Sequence, residues 1–314
     1  MSCKICKSAT PNVYTLEEQM FGFKGAFKYI ECSLCGCLQI NEVPEDLEKY
    51  YPPYYYAYNP ETPTLKRLPF FKRLFAGTRI KKKYKNGTKL FRYLKEINAS
   101  VNDRILDFGC GNGLLICELF NQGFENVEGV DMFLPNEVNY GFGVNVHKKE
   151  VAELPHNSYD LVMMHHVLEH MPEQQKALLD VYRVLKDEGC LMIRIPVIGE
   201  AWEKYRENWV QLDAPRHLFL HTVQSLNILA EQTGFEVRKT FFDSSSFQFL
   251  GSELYERGIP LFSKEDNYNL YSFDKLFSTE EIRDFESRAQ ELNKAHRGDS
   301  AVFYLYKSNS KKKK

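Results

Sequence analysis

No apolar run in this chain reaches the roughly 18–20 residues of a membrane-spanning helix, and the N-terminus lacks the apolar core of a secretory signal. The expectation is a cytoplasmic protein. Thiols stay reduced in that compartment, so paired cysteines are better read as metal ligands than as disulfides. Net charge is almost missing as well: 41 Lys and Arg stand against 42 Asp and Glu, which leaves no chain-wide electrostatic footprint to argue from. There is no internal repeat. What remains is a soluble, globular composition, 43% hydrophobic over 314 residues, enough for one large domain or two modest ones.

The dinucleotide fingerprint G-x-G-x-x-G is also absent, by one position. Residues 105–113 read Ile-Leu-Asp-Phe-Gly-Cys-Gly-Asn-Gly, and Leu114 stands where the third glycine of that pattern would fall. Ile105 and Leu106 read as the end of a buried strand, and Leu114-Leu115-Ile116 as the start of a helix. Gly109, Gly111 and Gly113 strip side chains from the turn between them, so its backbone can approach a ligand and take unusual dihedrals. Asp131 closes the next apolar run. A carboxylate about twenty residues after such a turn can sit at the tip of the second strand and hold two ribose hydroxyls. The plainer alternative is a glycine-rich turn in some other α/β protein.

From residue 100 onward, strand patterns alternate with helical ones, the signature of a mostly parallel sheet covered on both faces. Strands are expected near 104–108, 127–131, 144–147, 159–165, 190–196, 236–243 and 301–307. Helices are expected over 113–122, 173–186, 222–233 and 279–295, with an insertion at about 244–300. Cys110, Cys117 and Cys190 fall in apolar stretches and read as packing residues.

Two cysteine pairs, Cys3-x-x-Cys6 and Cys32-x-x-Cys35, precede this domain. Each pair offers two thiolates to one ion, and two pairs complete the tetrahedral shell that zinc prefers. The intervening residues can supply a small ribbon of strands whose folding energy comes from the metal. Residues 1–45 are therefore expected to form a structural zinc module. A redox dithiol and free thiols are the alternatives, and Cys37 could replace Cys35 at a poorer spacing. Residues 46–100 follow as a tyrosine-rich linker, Tyr50 to Tyr58, and a basic segment. The tyrosines either pack on the next domain or wall its pocket. Between 64 and 96, twelve Lys and Arg meet one acid, Glu96, and Leu65, Leu68, Phe70, Phe71, Leu74 and Phe75 recur at helical spacing. A helical cap over the cofactor, a surface for an anionic substrate, a membrane-surface helix and an RNA contact are the four readings. The Lys311–Lys314 tail is expected to be disordered.

The turn with its preceding Asp107 resembles the first motif of class I S-adenosylmethionine (SAM) methyltransferases. Glu150-Val151-Ala152-Glu153-Leu154-Pro155 is similar to that family's adenine-edge motif, and Tyr159–Pro172 to its fourth-strand motif. The resemblance covers roughly residues 100–245 and the last strand. It implies a Rossmann-like, seven-stranded, mostly parallel sheet of order 3-2-1-4-5-7-6 over residues 101–310, with an antiparallel terminal strand. It further implies that Asp107, Gly109, Gly111 and Gly113 face the methionine part and ribose of SAM. Asp131 would accept the ribose hydroxyls, Met132 or Phe133 would pack on adenine, and Glu150 and the Val151 amide would meet the adenine edge. Glu153 is the alternative to Glu150, and a solvated loop is the alternative for both. His165 would edge the site. Glu169-His170 would shape the pocket rather than catalyse.

Methyl transfer from a sulfonium needs mainly proximity and alignment, but an oxygen or nitrogen nucleophile can also need a base. Asp213-Ala214-Pro215-Arg216-His217-Leu218-Phe219-Leu220-His221 offers one. Arg216 could hold an anion bidentately. His217 could accept a proton, with His221 as the lesser candidate, unless His217 instead caps the helix near Thr222 or fills the core. Trp202, Tyr205 and Trp209 either line an aromatic acceptor site or pack between helices. The order of cysteine pairs, tyrosines, SAM domain and Pro-Arg-His-Leu resembles zinc-ribbon methyltransferases of surface-polysaccharide and sugar biosynthesis. That resemblance implies a small or lipid-linked, anionic saccharide-type acceptor. Asn/Asp-Pro-Pro-Tyr is absent after the fourth strand, which counts against methylation of exocyclic DNA amines and leaves RNA as a rival acceptor. A non-catalytic SAM-binding scaffold is the remaining alternative.

Overall fold

The computed structural model describes residues 2–9, 12–55, 63–264 and 269–308. Tyr56 and Tyr58 of the tyrosine-rich stretch, the side chains of Phe70 and Leu74, and the Lys311–Lys314 tail lie outside them. Four parallel pairings build the centre of the main sheet. β4 (Ile105–Phe108) lies between β5 (Val127–Val130) and β8 (Tyr159–His165). β7 (Val144–His147) extends it beyond β5, and β9 (Leu185–Pro196) beyond β8. β12 (Ser300–Lys307) then pairs antiparallel with both β9 and β11 (Phe235–Phe242). These seven strands stand in the order 3-2-1-4-5-7-6. The count is nevertheless eight, because β6 (Val138–Gly141) adds an antiparallel edge strand beside β7. Its Val-Asn-Tyr-Gly sequence carries too little alternation to announce a strand.

Parallel strands buried on both faces read as continuous apolar runs, and β8 does so through Leu161, Val162, Met163 and Met164, all fully buried. Successive side chains alternate between faces. Val162 and Met164 join a core with Leu178 and Val181 of α5 (Gln174–Val184) and Leu226 and Leu229 of α7 (Val223–Gln232). Leu161 and Met163 join a second core on the other face with Ile116 and Leu119 of α4 (Leu114–Gln122). The basic segment is helical, as expected: α1 (Phe70–Leu74), α2 (Ala76–Asn86) and α3 (Lys89–Glu96). Leu90, Phe91, Tyr93 and Leu94 of α3 are buried in that second core, while Lys81, Lys82, Lys85 and Lys95 face solvent. Among the described residues no helix is long and apolar enough to cross a membrane. Cys117 and Cys190 pack in the core, and Cys110 is half-buried beside it.

The N-terminal module is less separate than its sequence implies. β1 (Asn12–Glu17), β2 (Ala26–Glu31) and β3 (Leu38–Ile40) form an antiparallel ribbon whose fourth strand, β10 (Phe219–Leu220), comes from the far end of the chain. Phe219 pairs with Gln39, and the Ile40 amide donates to the Leu218 carbonyl at 2.9 Å. The segment after β9 that holds Arg216 and His217 is thereby part of the N-terminal sheet. Arg216 locks this junction. Its wholly buried guanidinium donates to Asp213 (2.6–3.1 Å), to Glu18 Oε1 (2.7 Å) and to the Tyr50 carbonyl (2.8 Å). Trp202, Tyr205 and Trp209 are buried as well, Trp202 donating to Glu31 and Trp209 to Asp299. Of their two readings, the packing one holds.

Removing one partner of a buried ion pair leaves the others charged and unpaired, at a cost of about 3–5 kcal/mol. Arg216→Ala is therefore expected to lower unfolding stability by about that amount in urea denaturation; a change below about 1 kcal/mol, the range of exposed pairs, would contradict this placement.

Candidate active site

Strands β4, β5 and β8 run the same way, so the loops leaving them meet at one edge, where open α/β sheets place their ligands. The glycine turn leaves β4 there. Gly109, Gly111 and Gly113 all have positive φ, between 52° and 79°. A Cβ on Gly109 would stand 2.6 Å from Val167 Cγ2, and one on Gly113 2.6 Å from Val146 Cγ2. Gly109 and Gly113 are thus wedged between the ends of β8 and β7 with no room for side chains, and the amides of Gly109, Gly111 and Gly113 donate within the chain, to the Val130 carbonyl, Asp131 and the Cys110 carbonyl.

Asp131 joins the turn directly: its Oδ2 accepts from the Gly111 amide at 3.0 Å and its Oδ1 from the Phe133 amide at 2.8 Å. Each oxygen keeps a lone pair for a ribose hydroxyl. Met132 and Phe133 beside it are 45% and 88% exposed, an apolar surface with no protein cover and room for a base to stack. Asp107 is buried below the turn. Burial, with the nearby Asp131 charge, pushes its carboxyl up to about 8. Val151 opens a short 3-10 turn and is buried, its carbonyl taken by Arg183 at 2.9 Å. Glu150 is exposed and pairs with Lys176 of α5 at 3.2 Å. Glu153 caps the same turn by accepting from the Glu150 amide at 2.9 Å.

At the end of β8, His165 is set among Tyr93, Arg194 and His166. Burial and the Arg194 charge push its imidazole down to about 3, and its Nε2 has no hydrogen-bond partner among the described residues. His166 follows with φ 53°, a costly backbone for a non-glycine residue and one that clusters at functional sites. From there a buried polar chain runs in two directions. Towards β11, His166 Nε2 meets Arg194, whose Nε donates to Asp243 Oδ2 at 2.8 Å; Tyr93 and Ser300 also donate to Asp243. Towards the N-terminal module, His166 Nδ1 lies 3.0 Å from Glu169 Oε1. Glu169 is fully buried; burial would raise its carboxyl, but His166, His170 and His217 outweigh that and hold it near 2.

Glu169, His170 and His217 come together: one ligand atom of each lies within 4.8 Å of the others. Tyr51 reaches the same place, its hydroxyl 3.2 Å from His170 Nδ1. His217 is nearly buried, 5% exposed, with its Nδ1 2.7 Å from the Gln211 carbonyl. It does not cap α7; Thr222 does, accepting from the Ser225 amide at 3.0 Å. His221 is fully buried with both nitrogens taken, by Ser225 Oγ and Gln174 Oε1, each at 2.9 Å. Arg216, buried among Asp213, Glu18 and Tyr50, presents no open fork to an anion. The segment 213–221 therefore brings only His217 to the cleft.

Sequence reasoning missed Arg194, Asp243, Tyr93 and Glu18. Arg194 carried a signal, a charge inside the apolar run Leu191–Ile195, which demands a buried partner. Glu18 carried none, since its partner lies 198 residues away.

Cys3, Cys6, Cys32 and Cys35 also converge. Their sulfurs lie within 4.8 Å of one another, with Cys3–Cys35 at 3.7 Å and Cys6–Cys32 at 3.4 Å. Four thiolates about 2.3 Å from one ion would stand roughly 3.8 Å apart. Backbone amides of Ile5, Cys6 and Cys35 and the Gln39 side chain point at these sulfurs, the partners an anionic thiolate needs. Cys37 is buried beside them, outside the four-sulfur group.

The family described as "Methyltransferase domain" matches residues 76–240. The chain belongs to this methyltransferase family. Its glycine turn, Asp131 and strand order are those of a class I SAM-dependent methyltransferase. The chain is 27% identical over 174 residues to a ubiquinone biosynthesis O-methyltransferase of Rickettsia canadensis, covering 49% of this chain and 73% of that protein. It is 31% identical over 120 residues to the Rickettsia bellii protein of the same name, covering 34% and 50%. A demethylmenaquinone methyltransferase of Lactiplantibacillus plantarum is 27% identical over 49% of this chain and 74% of its own length. Among solved structures, a SAM-dependent methyltransferase from Archaeoglobus fulgidus aligns with TM-score 0.42 and 21% identity, covering 76% of this chain and 98% of that one. A sarcosine dimethylglycine methyltransferase candidate from Galdieria sulphuraria aligns with TM-score 0.46 and 15% identity, over 84% and 99%.

Asp107 yields a pH test. The resemblance implies that Asp107 meets the ammonium of SAM; such a cation favours the ionised carboxylate, and in the free protein burial keeps that group protonated below about pH 8. Affinity is expected to rise with pH from about 6 to 8, by up to about tenfold per unit, and then level off. Calorimetry should show proton release at pH 6.5, and Asp107→Asn should abolish both effects. A wild-type affinity flat across this window would contradict the assignment.

Proposed function

We propose that the protein transfers the methyl group of SAM to a hydroxyl oxygen of a small acceptor, lipid-linked or ring-bearing, lodged between the glycine turn and His217. Asp107 binds the ammonium, Asp131 the ribose, and the glycine backbone of 109–113 lets the cofactor approach closely between them. Met132 and Phe133 cover the adenine, with Glu150 and the Val151 amide at its edge. His165 closes the methionine side. The observation that carries the acceptor half is the convergence of Glu169, His170, His217 and Tyr51 beside the turn, polar groups that suit a hydroxyl better than an apolar carbon nucleophile. The acceptor proton leaves on the His217 side while the new O–C bond forms and the C–S bond breaks. The ubiquinone-type relatives favour a phenolic hydroxyl; the N-terminal module and Pro-Arg-His-Leu segment favour a saccharide hydroxyl. Turnover of radiolabelled SAM against demethylated quinol precursors and nucleotide- or lipid-linked sugars separates these two. SAM binding with no turnover in either set would favour the scaffold.

We further propose that zinc occupies the four thiolates and has a structural role. It holds β3, and β3 holds β10 with His217 next to it. Cys32→Ser is expected to lose the metal and to depress acceptor turnover by at least about tenfold while changing SAM affinity by less than about threefold, because such a support acts only through the residues it orients. Metal analysis, calorimetry and turnover on one preparation check this. Equal losses of SAM binding and turnover would refute the separation.

A further inference from the structure

The described residues do not meet all the lone pairs around Glu169. Glu169 is fully buried, one oxygen taken by His166 Nδ1 and the other, Oε2, without a hydrogen-bond partner among the described residues. An uncompensated buried carboxylate oxygen is costly and calls for a cation, a donor or a water. The two histidines nearby are locked in the same sense. His170 Nδ1 lies 2.9 Å from the Arg216 carbonyl, and His217 Nδ1 lies 2.7 Å from the Gln211 carbonyl. A carbonyl only accepts, so each Nδ1 carries the proton and each Nε2 keeps its lone pair. Carbonyl support at the far nitrogen is how ligating histidines are held in proteins. Their rings lie 4.7 Å apart at 67°, edge to face rather than stacked, and one ligand atom of each lies within 4.8 Å of the other and of Glu169. Asp213 Oδ2, 3.8 Å from His217 Nε2, is beyond hydrogen-bond distance and is bound to Arg216.

We propose that Glu169, His170 and His217 form a second metal site, for a divalent transition ion, at the acceptor end of the cleft. Two imidazoles and a carboxylate are a donor set for zinc, iron(II) or manganese, with positions left open for substrate. The ligand atoms, within 4.8 Å of one another, must draw in slightly, since ligands about 2.1 Å from an ion stand roughly 3–4 Å apart. His217 and the Arg216 carbonyl that supports His170 lie in the segment fixed by the N-terminal sheet, so the site exists only when that sheet is docked. Resting on the O-methyl-transfer reading above, the ion would bind the acceptor oxygen and lower its pKa. The hydroxyl proton passes to water, the oxygen attacks the methyl carbon, and the C–S electron pair goes to sulfur. The His217 lone pair then serves the ion rather than the proton.

The test uses the full chain with its thiolate metal left in place and Mn2+ as the probe, since thiolates disfavour that ion. Electron paramagnetic resonance titration should find one Mn2+ per chain, weakened at least about tenfold in His217→Ala and in Glu169→Gln, while both variants still bind SAM by calorimetry. No stoichiometric Mn2+ or Co2+ site in the wild type overturns the proposal, as does unchanged binding in a folded variant. The wild-type stoichiometry decides the matter even if one variant fails to fold. Ion binding is read without any acceptor, so a failed acceptor screen leaves this result standing. Turnover that survives removal of the second ion would overturn its Lewis-acid role.

Discussion

A single buried guanidinium joins the two halves of this molecule. Arg216 is enclosed by Asp213 from its own loop, Glu18 from the N-terminal module and the Tyr50 carbonyl from the linker, with the Phe21 ring 5.1 Å from its centre. Three separate stretches of chain are held at one point. None can move away without leaving a charge in a dry interior, which is why the pairing constrains position more than it adds stability. The β3–β10 pairing and the Tyr29 hydroxyl, which donates to the His217 carbonyl at 2.8 Å, continue the same junction. His217 reaches the cleft because its neighbours on both sides are anchored outside the methyltransferase sheet.

The two sides of the cleft therefore have different origins. The donor side is intrinsic to the parallel sheet: a side-chain-free turn, a carboxylate at the tip of β5 and a buried acid beneath them. It asks little of the surrounding fold beyond the strands themselves. The acceptor side is composite. Glu169 and His170 come from the end of β8, His217 from the segment after β9, and Tyr51 from the linker. A polar chain from Asp243 through Arg194 and His166 to Glu169 fixes its orientation from within the core. The family match, residues 76–240, includes most of the first side but stops short of the N-terminal contributors to the second.

This division also governs how much was legible in the sequence. Apolar runs and glycine spacing are local, so the seven strands from β4 to β12, the main helices and the placement of Asp107 and Asp131 at the glycine turn could be read directly. β6 could not, because four residues, Val138–Gly141, ending on a glycine are too short to establish a period. The pairing of β3 with β10, and of Glu18 with Arg216, joins residues nearly two hundred positions apart. No local pattern encodes it. Arg216 and His221 have the residue types of a substrate site and the environment of a core: their partners are other side chains and carbonyls of the chain. Residue type gave the right neighbourhood there, and only burial separated the scaffold from the cleft.

On the function proposed above, the N-terminal sheet builds the acceptor side of the site rather than decorating it. Hydrogen–deuterium exchange on the intact chain, before and after metal is removed from the thiolates, tests this most directly. Amides of 38–40 and of 219–220 should lose protection together, because these are the two strands that pair, while 105–108 and 159–165 stay slow. Retained protection at 219–220 after 38–40 has opened would contradict it.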